Sequence, residues 1–114
     1  MNSLDNLNIN NQEKAAIMEA SKVLREKFHA KEVILFGSKA RGDDDIESDI
    51  DLLILTTEPV TWNERKAINN ALYQIQLKYD VIISTLITTV SKWTEGTFSV
   101  LPIHDEISAQ GIIA

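Results

Sequence analysis

The sequence predicts an α/β fold of the α+β kind, a small mixed β-sheet packed by helices, and three observations lead there. Apolar residues recur at three- and four-residue intervals up to Phe28 and again between Ala67 and Ile75, the period of amphipathic helices. The apolar runs at 31–36 and 50–56 are too short for helices and suit strands. Helical and strand patterns also interleave without an internal repeat or charge-segregated halves. A chain of 114 residues has room for one compact core, so residues 12–114 are expected to form one domain behind a polar tail, residues 1–11.

The tail is Asn-rich, and the first helix follows it, with Ala16, Ile17, Ala20, Val23, Leu24 and Phe28 on its apolar stripe. Lys31 to Phe36 (KEVILF) reads as a buried strand stopped by Gly37. Ile50 to Thr56 (IDLLILT) is apolar on both faces beyond its first residues, so a central strand covered on both sides is expected. Thr61 suits the cap of a helix running to about Lys78, with Ala67, Ile68, Ala71, Leu72 and Ile75 as its stripe. Asp80 to Leu86 (DVIISTL) is a third strand, and an irregular turn and short helix follow Val90, interrupted by Pro102. Trp62, Trp93 and Phe98 are expected in the core, and His29 and His104 as surface or satisfied histidines.

Composition removes several functions. Hydrophobic content of 44% and charged content of 25% are ordinary for a globular fold. A formal net charge of -6 opposes docking on extended nucleic acid, whose affinity comes from many Lys and Arg contacts to phosphates. With no cysteine there is neither a disulfide nor a thiolate zinc site, and two histidines are too few for a His-rich cluster. No apolar run approaches the roughly 20 residues needed to span a bilayer. The start MNSLDNLNINNQEK also lacks the basic-then-apolar order of a signal peptide, so a cytoplasmic protein is expected.

Chemistry concentrates between Ile34 and Leu55, ILFGSKARGDDDIESDIDLLIL. Gly37 lets the chain leave the strand in a conformation closed to other residues and lets phosphate oxygens approach the main chain. Ser38 adds a hydroxyl, and Arg41 a nearby positive charge if residues 39–42 open a short helix. Asp49 and Asp51, two residues apart in a strand, project to one face with Cα atoms about 6.5 Å apart. Hard cations such as magnesium take one or two carboxylates completed by water and phosphate, which this pair fits. Asp80, at the head of the third strand, is the expected third carboxylate and general base, with Ser84 and Thr85 further along that strand. Gly37 and Gly42 have P-loop spacing, but Asp43 stands where the lysine belongs. Asp43, Asp44, Asp45 and Glu47 resemble the start of a calcium loop. Ser48 and Ile54 occupy the places of its glycine and closing glutamate, so the run reads as a solvated acidic loop.

GSKARG followed by SDIDLLIL resembles the G-S-x-A-R-G and S-D-x-D-L signature of the DNA polymerase β-like nucleotidyltransferases, and within them the minimal nucleotidyltransferase group. The resemblance implies the polymerase β-like nucleotidyltransferase core, triphosphate contacts from Gly37, Ser38 and Arg41, and magnesium ligation by Asp49, Asp51 and Asp80. It also implies two magnesium ions in the active complex and ATP as substrate. The implied reaction is attack of an acceptor hydroxyl on the α-phosphorus, with pyrophosphate leaving. Minimal members resemble antitoxins that attach AMP to a tyrosine of a helical HEPN toxin, so a HEPN-type partner is expected and self-association is left open. Two alternatives stand beside this: a nucleotide-binding antitoxin or structural subunit acting by occlusion, and a transferase acting on an aminoglycoside-like hydroxyl.

Overall fold

Strand β2 (Ile50–Thr56) holds the centre of the sheet, between β1 (Glu32–Phe36) on one side and β3 (Ile83–Thr89) on the other. The computed structural model describes residues 9–41 and 49–114, without the side chains of Ser38 and Arg41. The polar tail before residue 9 and the acidic loop of Asp43, Asp44, Asp45 and Glu47 lie outside the described residues. In chain order the elements are α1 (Asn11–Lys27), β1, α2 (Ser38–Arg41), β2, α3 (Trp62–Tyr79), β3, α4 (Val90–Thr94), a 3-10 turn (Thr97–Val100), α5 (Pro102–Gln110) and β4 (Ile112–Ile113). The sheet order is β3-β2-β1-β4. β1 runs antiparallel to both β2 and β4, and β2 pairs parallel with β3 across the α3 crossover. The expected mixed sheet with helices is the observed one.

Side-chain alternation along β2 divides the core into two layers. Ile50, Leu52 and Ile54 join Val33, Leu35, Ile83 and Ile87 in a cluster covered by α1 through Ile17 and Leu24 and by α3 through Ile68, Leu72 and Ile75. Leu53 and Leu55 point the other way and pack with Ile34, Trp93 and Ile107, beside Phe98. His104 stacks on Trp93 with ring centroids 4.7 Å apart. Both faces of β2 are therefore buried over most of its length, as its composition implies. Only its first turn of alternation, at Asp49 and Asp51, escapes the apolar cover: Asp49 is exposed and Asp51 half-buried.

Several elements depart from expectation. Asn10 and Glu13 form a reciprocal capping box that starts α1 at Asn11, and Ile9 packs against the core, so the last residues of the expected tail belong to the fold. Pro102 begins α5 instead of interrupting it, because the first helical turn needs no N–H from that position. The two-residue strand β4 was not anticipated: it is too short for a pattern and exists because Ile112 and Leu35 pair. Trp62 is 74% exposed at the first turn of α3 and is not a core residue. Among the described residues no helix is long and apolar enough to cross a membrane.

Two carboxylates couple this fold to pH. Glu19 accepts hydrogen bonds from Lys78 Nζ (2.8 Å) and Tyr79 Oη (3.1 Å), joining α1 to α3, and Lys78 chiefly holds its carboxyl below the ordinary value of 4.5. Glu64 closes the α3 capping box with the Thr61 main chain and hydroxyl, which lower its carboxyl in the same direction. Depressed folded values mean that both contributions are complete above about 4.5 and are lost as pH falls through the lower folded values. Glu19→Gln and Glu64→Gln are each expected to lower stability at neutral pH and to flatten its fall below pH 4.5. Urea unfolding across that range measures both effects.

Candidate active site

The turn after β1 and the start of β2 meet at one point. Register pairs Phe36 with Asp51, which brings the next residue, Gly37, under the Asp51 carboxylate. Gly37 has φ of +76°, and a Cβ built there would collide with Asp51 Oδ2 and stand 3.3 Å from its Cγ. Glycine is required twice, for backbone conformation and for the space Asp51 occupies. The Ala40 N–H donates to the Gly37 carbonyl at 3.1 Å, turning the chain into α2. Ser38 and Arg41 begin and end that short helix, so the backbone brings both expected phosphate-binding residues to the Gly37 turn.

Asp51 shares its face of β2 with Leu53 and Leu55, and Asp49, two residues earlier, follows the same alternation. The parallel register sets Ser84 of β3 opposite Asp51. Ser84 Oγ donates to Asp49 Oδ2 at 3.2 Å, so Asp49, Asp51 and Ser84 converge on one face at the start of two adjacent strands.

Asp80 is not in this group. The third strand begins at Ile83, because Asp80 is the left-handed cap of α3 (φ 55°, ψ 51°). Its N–H and that of Val81 both donate to the Gln76 carbonyl. The Gln76 side chain takes the Ile83 N–H at 3.1 Å, fixing where β3 starts. Helix α3 packs on the sheet face opposite Asp51, so its terminal residue is held away from the face that carries the pair. Among the described residues no three Asp, Glu, His or Cys side chains lie together as a possible metal site. The expected carboxylate triad completed by Asp80 does not form among the described residues, which bring together two carboxylates and a serine hydroxyl.

A feature that the sequence reading missed lies behind the turn. Lys39 is 1% exposed and forms an ion pair with Glu13, the same residue whose carboxylate caps the Asn10 N–H of α1. The pair ties the Gly37 turn to the first turn of α1. Lys39 occupies the variable position of GSKARG and Glu13 lies 26 positions earlier, so no local pattern connects them.

A family model described as a nucleotidyltransferase domain matches residues 17–100. Two proteins of Methanocaldococcus jannaschii, both named "Putative protein adenylyltransferase", are similar to the chain. One is 46% identical over 69 residues, covering 60% of this chain and 68% of the relative. The other is 38% identical over 79 residues, covering 68% and 73% respectively. A crystal structure described as a toxin-antitoxin with AMP-PNP has the same fold, with a TM-score of 0.59 over 91% of this chain and 72% of that one at 16% identity.

Gly37→Ala is expected to destabilise the fold by more than the roughly 1–2 kcal/mol of a left-handed non-glycine residue, because the new methyl also meets the Asp51 carboxylate. In a double-mutant cycle with Asp51→Ala, the two changes should couple by at least about 0.5 kcal/mol in urea unfolding. Lys39→Met should cost about 3–5 kcal/mol by leaving a buried carboxylate without its ammonium. Lys39→Met combined with Glu13→Gln should recover part of that loss, read from the same denaturation curves.

Proposed function

The chain belongs to the nucleotidyltransferase domain family, and from that premise we propose that it transfers AMP from ATP to a hydroxyl on a protein partner. The observation that carries this reading is the contact between Gly37 and Asp51, which makes the phosphate-side turn and the acidic strand one site. Protein as acceptor is supported by the names of the two relatives and by the net charge of -6, which opposes an extended nucleic-acid acceptor. The partner we favour is a helical HEPN-type toxin presenting a tyrosine, with this chain as its antitoxin.

Two neighbouring carboxylates, Asp49 exposed and Asp51 half-buried, match the donor set of magnesium, which takes one or two carboxylates and completes its shell with water and substrate phosphate. Asp49 and Asp51 would hold it, and when bound it supplies Lewis-acid stabilisation of the attacking and leaving oxygens. The turn at Gly37 and Ser38 holds the triphosphate, with Arg41 adding positive charge. The acceptor oxygen bonds to the α-phosphorus, the bond to the pyrophosphate oxygen breaks, and the hydroxyl proton passes to solvent. Rigid strands orient Asp49 and Asp51, so alignment and fixed charge contribute most of the rate.

The second reading, nucleotide-dependent occlusion of a partner without transfer, is favoured by one observation: no third carboxylate joins the pair among the described residues. Incubation with labelled ATP, magnesium and a helical HEPN partner, followed by mass spectrometry, tests both. A gain of AMP on the partner that disappears in Asp49→Asn plus Asp51→Asn is the expected result. Undiminished labelling by that double variant refutes the transferase site, and neutralisation of the partner without any label establishes occlusion.

A further inference from the structure

Position 84 bears on the reading just given. Ser84 lies opposite Asp51 in the parallel ladder and its hydroxyl donates to Asp49 Oδ2 at 3.2 Å. Paired residues of neighbouring strands face the same side, so Ser84, Asp49 and Asp51 share one face. Two like charges on one face of a strand repel, and in the chain without cation a hydroxyl donor directed at one of them offsets part of that repulsion. The same hydrogen bond selects the orientation of Asp49. Asp80 is the left-handed C-cap of α3, and that helix packs on the opposite layer.

We propose that Ser84 is the positioning residue of the acidic pair, orienting Asp49 toward a divalent cation, and that the side chain at this position, not Asp80, sets the charge and cation affinity of the site. The inference rests on the assignment of Asp49 and Asp51 as cation ligands. It also goes beyond that assignment, because it identifies the strand position at which the number of ligands is decided. Serine there leaves a weaker, two-carboxylate site with less like-charge repulsion when empty. Aspartate there makes a three-carboxylate site that is strained when empty and tighter when filled.

Binding of Mn2+, followed by electron paramagnetic resonance, and thermal unfolding with and without Mn2+ test this on the full chain without nucleotide. Ser84→Ala should weaken Mn2+ binding about two- to tenfold, the effect of one lost hydrogen bond to a charged ligand, and Ser84→Thr should restore it. Ser84→Asp should lower the melting temperature without metal, bind Mn2+ at least about tenfold more tightly, and regain its stability when Mn2+ is added. Asp80→Asn should leave Mn2+ binding unchanged. Unaltered Mn2+ affinity in both Ser84→Ala and Ser84→Asp, or a loss in Asp80→Asn as large as that in Asp49→Asn, overturns the proposal. Asp49→Asn plus Asp51→Asn separates the two levels. If that variant binds Mn2+ like the parent, the carboxylate site itself falls and the role of Ser84 with it. If it loses Mn2+ while the position-84 variants do not differ, only the role of Ser84 falls.

Discussion

The Asp51 carboxylate sits where a side chain at residue 37 would have to be, and most of the candidate site depends on that shared space. β1 must end at Phe36, the turn must pass through a positive φ, and β2 must enter the sheet with its first carboxylates uncovered. Moving either strand by one residue would send Asp51 to the layer beneath α1 and α3, where an uncompensated charge is costly. The apolar run of β2 prevents that slip. Ile50, Leu52 and Ile54 are committed to one layer and Leu53 and Leu55 to the other, so the hydrophobic core holds the acidic pair in register.

Behind the turn, the buried ion pair of Lys39 and Glu13 anchors α2 to the N-terminus of α1. Buried pairs of this kind contribute little net stability against an apolar alternative, but they penalise misplacement of either partner. Here the partners belong to the two elements that must be aligned if the turn is to face β2. Glu13 also closes the α1 cap, which links the start of the first helix to the geometry of a turn that lies far along the chain.

Legibility followed interaction range. The amphipathic stripes of α1 and α3, the central placement of β2 and the Gly37 turn were readable because each depends on neighbours within a few residues. The start of β3 was misplaced by three residues, since DVIISTL reads equally well as a strand from Asp80 onward. What excludes Asp80 is its left-handed cap and the three hydrogen bonds to Gln76 that delay the strand. β4 and the exposure of Trp62 were likewise invisible, because both depend on what the rest of the chain places beside them.

By itself the sequence determined the class of fold and singled out Gly37, Asp49 and Asp51 as candidate site residues. These follow from local period and from a short, ordered motif. Only the tertiary structure decided that Ser84 rather than Asp80 faces the pair, and that Lys39 is buried against Glu13. Both depend on strand register and on which layer a helix covers, quantities set by the whole hydrophobic core and recorded in no single stretch of the chain.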